Sequence, residues 1–296
     1  INDVISIGGG LHLMVGRFAA QMSVSACDGV ICTQPENIDF DAIMRMVIFP
    51  MIIPGAQLGL LIKPSDWLKF GLSVESAYKM NSTAKLSMRM PAAPMYADAT
   101  IYPDNPTANV KMTMPMQIRS GLQARYQNLF KVETAVIWSN WASHDDISVT
   151  PKNVGMDNVL MLGKYGMEAM NIKRGFVDTI SYHIGTELTP TIKGEKALTI
   201  RLGTAYEPSA VPKKNMSIMT IDSDKVIGSI GVAWAFDQHQ IELLYSHMFM
   251  NSVTVTNSEV YQMNPSRPDW ENRTPIGNGD YDTSAFVIGI GYSKSL

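Results

Sequence analysis

The sequence is short of charge. Only 17% of its 296 residues are charged, against about a quarter in ordinary globular domains. Lys and Arg total 24 against 27 Asp and Glu, a net charge of −3, so no basic excess exists to hold a phosphate backbone. Nucleic acid is therefore excluded as a partner. Long apolar runs are also missing. The longest, Met46 to Ile62, is broken by Pro50, Pro54 and Gln57, whereas a spanning helix needs about 20 mostly apolar residues. That excludes a helical membrane protein. Cysteine is limited to Cys27 and Cys32, with no further CxxC or His pair nearby to complete a metal site. A loop disulfide in an oxidising compartment is the expected reading, and two free thiols the alternative. There is no GxSxG, HExxH or Walker loop, and His12, His144, His183, His239 and His247 are scattered. Nothing points to an enzyme, a metal or a cofactor. The chain opens Ile-Asn-Asp without Met or a signal-like segment, which reads as a processed protein or a chain that starts inside a longer product.

What is present is period two. Apolar residues make up 46% of the chain and are interleaved with polar ones. Phe70, Leu72 and Val74 alternate with Lys69, Gly71, Ser73 and Glu75. Met112, Met114, Met116, Ile118 and Leu122 alternate with Lys111, Thr113, Gln117, Arg119 and Gln123. Such alternation gives strands with one greasy and one polar face. Ten candidates follow, at about 3–26, 54–63, 68–90, 111–126, 129–141, 177–189, 197–206, 225–236, 239–252 and 283–294. Short turns near 64–67, 127–128, 190–196 and 237–238 alternate with long links near 27–53, 91–110, 142–176, 207–224 and 253–282. A soluble sandwich has no reason for that asymmetry. An outer-membrane barrel does, with short periplasmic turns and long outer loops. The apolar faces then meet lipid and the polar faces a lumen, while Trp67, Tyr78, Tyr126, Trp138, Trp141, Tyr206, Trp234, Tyr245 and Tyr292 suit interfacial girdles.

Several segments resemble the FadL-type family of outer-membrane channels for long-chain fatty acids and other hydrophobic compounds. The most specific is "LTIRLGTAYEPSAVPKKNMSIMTIDSDKVIGSIGVAWAF" over Leu198 to Phe236, where Asp222, Asp224 and Lys225 fill an acidic-basic motif with Lys in place of the family's Arg. "GLLIKPSDWLKFGLSVES" is similar to a strand-turn-strand of the family, and "MPMQIRSGLQARY…VETAVIWSNW" to the pair that follows. The resemblance implies an all-β, antiparallel transmembrane barrel in the bacterial outer membrane, with long extracellular loops and short helices. The family barrel has fourteen strands and an N-terminal plug. The ten strands counted here would make residues 1–296 a single barrel domain lacking that plug and the first four strands. The N-terminal remainder of the barrel then becomes an expected partner, along with outer-membrane lipid.

The loop after the first strand crowds Ile38, Phe40, Ile43, Met44, Met46, Val47, Phe49 and Met51 together. Ile43, Met46, Val47 and Pro50 fall at helical spacing, with Asn37 or Asp39 as a cap. Exposed apolar patches of that size bind something, and the resembled family places a hydrophobic groove there. Met95 and Tyr96 on the next loop would supply a second wall; the competing reading is that the two loops pack together as a lid. On the polar faces, Arg119, Arg125 and Arg201 are candidate partners for a fatty-acid carboxylate, or else neutralise lumenal Glu75, Glu133, Glu187 or Glu242. The expected function is passive uptake of a hydrophobic molecule such as a fatty acid or hydrocarbon. The alternative is a barrel scaffold that anchors or shuttles other surface proteins.

Overall fold

The computed structural model describes residues 4–27, 32–34, 37–127, 129–160, 163–190, 198–265 and 275–294. Its strands in chain order begin β1 (Ile5–Ser25), β2 (Asp41–Ser65), β3 (Leu68–Glu75), β4 (Tyr78–Arg89), β5 (Thr100–Tyr102), β6 (Thr107–Met114) and β7 (Gln117–Tyr126). They continue as β8 (Phe130–Ser139), β9 (Asp146–Pro151), β10 (Gly155–Val159), β11 (Gly163–Gly166), β12 (Met170–Lys173), β13 (Thr179–Leu188) and β14 (Leu198–Glu207). The last are β15 (Lys225–Phe236), β16 (His239–Met250), β17 (Val253–Val255), β18 (Gly279–Tyr281) and β19 (Ser284–Lys294). Helix is confined, among the described residues, to four single 3-10 turns.

One antiparallel sheet of 14 strands organises the molecule. Its wall runs β1-β2-β3-β7-β8-β13-β14-β15-β16-β19, ten strands as the alternation implies, although the candidates at 68–90 and 111–126 are each split and only their β3 and β7 parts belong to this path. Among the described residues β1 pairs only with β2 and β19 only with β16, so the wall does not close on itself. The strand β2 forks the sheet: Gln57 to Ser65 pair with β3, while Ile43 to Val47 pair with β4. From that fork a second branch, β4-β6-β9-β12, stands above the wall at the long-loop end.

Cross-strand register fixes the outward face. Ile62, Phe70 and Leu122 form one row, and Leu60, Leu72, Ser120 and Val136 another. Across the other half of the wall run Ile200, Val232, Leu243 and Ile290, then Leu202, Ile230, Tyr245 and Ile288. These side chains are exposed or half-exposed, Ile290 by 79%, and form the lipid-facing belt of an outer-membrane barrel. Aromatic residues mark its two rims: Trp67, Tyr126, Trp234 and Tyr292 toward the short turns, Tyr182, Tyr206 and Phe249 toward the loops. Tyr78 and Trp141 do not join a rim; both turn inward.

Two wall strands break at one level, β3/β4 at Ser76–Ala77 and β7/β6 at Pro115–Met116, and β2 breaks higher, at Phe49–Pro50, where β1 shifts register between Gly16 and Phe18. Each break reverses the parity of the alternation. Below it the inward residues of β3 and β7 are Glu75, Gln117 and Arg119; above it those of β4 and β6 are Met80, Ala84, Val110 and Met112. Two expectations change here. Met112 and Met114 do not face lipid, because the parity reversal turns their side of the strand toward the upper core. The helical spacing of Ile43, Met46, Val47 and Pro50 is not a helix: Asp41 to Ile53 are extended, and Asn37 caps only the 3-10 turn Ile38–Phe40 by accepting from the Asp39 amide at 3.1 Å. Above the bend the inward face is a packed apolar core of Val24, Met44, Met46, Ile48, Val110 and Val149. The loop after β17 reaches back across it, Met263 accepting from the Ser25 amide at 2.8 Å and Asn264 donating to the Cys27 carbonyl at 2.7 Å. Cys27 and Cys32 form a disulfide.

Candidate functional site: the inner face and its bend

The inner face of the wall is polar and lined with small residues. Register places Gly8 opposite Gly59, Gly71 opposite Gly121, and Gly185 opposite Gly203. The charged side chains among them are paired. Arg119 Nη1 lies 2.7 Å from Glu75 Oε2, and its other nitrogen donates to Gln117. Tyr78 Oη donates to Glu75 Oε1 at 2.6 Å, closing the group at the level of the break. Farther along the wall a charge ladder crosses β8, β13, β14 and β16. Lys131 stands 3.4 Å from both Glu133 and Glu187, and Arg201 stands 2.8 Å from Glu187 and 3.5 Å from Glu242. Arg201 reaches two strands across because its register partner on β15 is Gly231, which leaves the way open. Of the cations singled out in the sequence, Arg119 and Arg201 are therefore bound to carboxylates. Arg125 is exposed beside a short turn, remote from the bend.

At the upper end of the wall a cleft of about 430 Å³ opens on the inner face. Trp141, Phe176, Ile137, Val211 and Ile221 give it apolar sides, with Gln117 and the Asp222–Lys225 pair as its polar edge. That pair explains the acidic-basic motif locally. Asp222 accepts from Lys225 Nζ at 2.6 Å and from the Ala210 amide at 3.0 Å, while Asp224 accepts from the Ser209 amide at 2.8 Å. The motif latches the Ser209–Val211 segment over the cleft. Behind Phe176 lie His144 and Arg174. His144 is buried, its Nδ1 2.7 Å from the Thr113 carbonyl, and its ring packs 5.0 Å from Phe176. Burial first, and then the charge of Arg174, hold the His144 proton affinity below its ordinary value, so the ring is neutral. Burial also lowers the proton affinity of Arg174, whose guanidinium sits 5.9 Å from the Phe176 ring with Nε unpartnered among the described residues.

The candidate groove residues divide differently. Phe40 meets Tyr96 edge-on at 6.1 Å, and Met95 packs with them beside the disulfide. Tyr96 Oη donates to the Ala26 carbonyl at 3.0 Å. Met44 and Met46 are buried in the upper core and Met51 packs against it. Ile43 and Val47 are half-buried, while Ile38 and Phe49 are exposed. The two loops thus meet, as packed walls. Sequence reasoning did not single out Phe176 or Val211, since neither belongs to a periodic segment, and it read Trp141 as a rim residue.

Residues 1–295 match the family model described as outer membrane protein transport protein (OMPP1/FadL/TodX). A search of curated proteins finds no match. Among solved structures, a FadL homologue of Pseudomonas aeruginosa superposes with a TM-score of 0.71 at 15% identity, covering 99% of this chain and 64% of that one. The toluene transporter TbuX of Ralstonia pickettii gives 0.54 at 14% identity, with 86% and 60% covered. The toluene transporter TodX of P. putida gives 0.53 at 16%, with 86% and 61% covered. At these identities the likeness is one of fold, and the chain spans roughly two thirds or less of each neighbour's length.

Proposed function

The chain belongs to the outer membrane transport protein family (OMPP1/FadL/TodX), and from that premise we propose that its wall forms part of a passive channel for uncharged hydrophobic molecules. The family consists of outer-membrane transport channels, not enzymes. One observation carries the choice of cargo: Arg119, Lys131, Arg201 and Lys225 on the inner face each stand within 3.5 Å of a carboxylate, while Lys69 and Arg125, which share that face by register, lie at its short-turn end, away from the cleft. A fatty-acid carboxylate entering there would have to displace an internal partner of equal charge and better geometry. An uncharged hydrocarbon meets no such competition. Its path would run from the apolar upper region to the cleft at the bend, whose volume lies within the range of small-molecule sites. Trp141 and Phe176 offer it flat apolar surface. Toluene transporters among the structural neighbours accord with this cargo. Of the candidate groove residues, Phe40, Met44, Met46, Met51, Met95 and Tyr96 then act as the walls of the upper region, while Ile43, Val47 and Phe49 lie on the outward face of β2 and Ile38 is exposed. The scaffold reading, with a surface protein held by the loops, gains no support from the family or its neighbours.

We place the rest of the barrel in further strands joined to β1 and β19. Each of these offers an unpaired edge among the described residues, and lipid cannot satisfy its backbone groups. The test of the path is Ser181→Trp, which fills the cleft from the inner face of β13. In cells expressing the full-length protein, initial uptake of a radiolabelled monoaromatic hydrocarbon should fall about tenfold while the barrel stays heat-modifiable on a gel. Thr186→Trp, on the lipid face of the same strand, should leave uptake unchanged. Undiminished uptake through Ser181→Trp would show that the cleft is not on the path.

A further inference from the structure

Above the break, the outward face of the sheet is strongly basic. Arg17 of β1, Arg45 of β2, Lys79, Lys85 and Arg89 of β4 and Lys111 of β6 are all exposed. Their direction follows from their neighbours: Met44 and Met46 flank Arg45, Ala84 and Leu86 flank Lys85, and Val110 and Met112 flank Lys111, all of which pack inward. Lys152 lies on the same face, where its Nζ donates to Thr83 Oγ1 at 3.1 Å. None of these seven cations forms an ion pair among the described residues. Across β1, β2, β4 and β6 the only acidic residue is Asp41, at the top of β2, which accepts from Gln262, and on the neighbouring β9 Asp146 is exposed on the same face, two residues from Ser148, the partner of Lys111.

Register sets the cations side by side. Arg45 pairs with Ser87, and Ile43 with Arg89 and Val47 with Lys85, so Arg45 has a cation on each diagonal. Asn81 pairs with Lys111, which puts Lys79 on its diagonal. Diagonal neighbours on one face interact, and like charges there are destabilising unless an anion lies between them. In a chain of net charge −3, such a face is not a consequence of overall composition.

The height of the patch says which anion. The lipid-facing residues end at Val15 and Ile52 on β1 and β2, and six residues lower in register, beside Leu58, at Val74 and Ile118 on β3 and β7. Arg17 lies two residues beyond Val15 and Lys79 five beyond Val74. At roughly 3.3 Å per residue, Arg17 and Lys79 lie just past the lipid-facing stretch of their strands, and Lys85 and Arg89, with Arg45 between them, lie about 20–30 Å farther along β4 than Lys79. The outer leaflet of a bacterial outer membrane is built from a phosphorylated glycolipid. We propose that this face binds the phosphates of that glycolipid, lipopolysaccharide, with Arg17, Lys79 and Lys111 at the lipid A phosphates and Arg45, Lys85 and Arg89 at phosphates of the inner core.

The test uses the full-length protein in detergent, with bisphosphorylated lipid A, its enzymatically dephosphorylated form and an intact lipopolysaccharide carrying core phosphates as probes. Two variants are compared, Lys79→Gln with Lys111→Gln, and Arg45→Gln with Lys85→Gln and Arg89→Gln, beside Lys164→Gln, which lies in a loop strand off this face. A basic residue near an anionic surface is worth about a factor of five in affinity. The double variant should therefore bind bisphosphorylated lipid A about 25-fold more weakly, and the triple variant should lose about 100-fold for lipopolysaccharide while keeping lipid A binding. The wild type and Lys164→Gln should bind alike and should prefer the phosphorylated lipid. Unchanged binding by variants that retain heat-modifiable migration overturns the proposal, and so does equal binding of dephosphorylated lipid A. Tight binding of polyglutamate without binding of lipid A would place an acidic polypeptide there instead, and would overturn it too. Should either variant fail to fold, the wild-type preference between the two lipid A forms decides alone.

Discussion

Replacement of Arg201 by Gln separates a structural cation from a ligand anchor. The side chain lies between Glu187 at 2.8 Å and Glu242 at 3.5 Å, with Glu187 less exposed than Arg201 or Glu242. Solvent screens such pairs, and each is worth about 0.2–1 kcal/mol. Gln keeps one donor for Glu187 but abandons Glu242, so the expected loss is about 1 kcal/mol. Urea unfolding of the full-length protein in lipid reads that loss directly. A double-mutant cycle with Glu187→Gln should return a coupling of about 0.5–1 kcal/mol. Lys131 remains 3.4 Å from Glu187, which keeps the residual ladder from collapsing. Transport should be indifferent to the change: uptake of an uncharged hydrocarbon and of a fatty acid of similar length should keep their ratio. If fatty-acid uptake falls selectively while stability is untouched, Arg201 holds a substrate carboxylate and the structural assignment is wrong.

Three further outcomes follow from the geometry. A Cβ on Gly55 would run into Tyr78 Cε1 and lie 2.7 Å from His12 Cδ2, so Gly55→Val should displace Tyr78 from Glu75 and cost about 1–3 kcal/mol by overpacking; an unchanged urea midpoint would contradict this. His144 has a folded proton affinity below its ordinary value of 6.5, so the folded form binds fewer protons than the unfolded one, and its contribution is present above that value and lost as pH falls through the folded one. Proteolysis of residues 141–178 should accordingly quicken in mild acid, and His144→Phe should remove that dependence. Reduction of Cys27–Cys32, separated by 5 residues, should release about 2 kcal/mol of chain constraint and expose the neighbouring Phe40–Tyr96 contact to protease without altering heat-resistant migration of the wall.

Much of the wall was legible because lipid imposes a strict alternation. Phe70, Leu72, Val74, Ile118, Leu202 and Ile230 read outward in sequence and lie on one face by register. The breaks were not legible. At Phe49–Pro50 the inward set Ala42, Met44, Met46 and Ile48 gives way to Met51 and Ile53, and above it both faces of β2 carry apolar residues, so Ile43 and Val47 of one face with Met46 of the other imitate a helix. The same parity reversal at Pro115–Met116 made Met112 look lipid-facing. Strands β9 to β12 were invisible for another reason: each has only four to six residues, too few to establish a period. The polar face itself was readable, and Glu75, Glu187 and Glu242 were named as partners for the arginines. Which glutamate meets which arginine depends on register and on Gly231 leaving room for Arg201, and neither is encoded locally. The bend cleft was hidden because Trp141, Phe176 and Val211 come from three separate links.

The central claim is that the inner path carries uncharged hydrophobic cargo. Its most direct test is the initial uptake rate of an alkylbenzene against that of a fatty-acid anion of similar length, in cells that lack other hydrophobic channels and express the full-length protein. The account predicts that expression raises the rate for the alkylbenzene severalfold and leaves the carboxylate at the vector level. A rate gain for the carboxylate equal to or greater than that for the alkylbenzene would contradict it, and Arg174 behind Phe176 would be the cation to examine as its anchor.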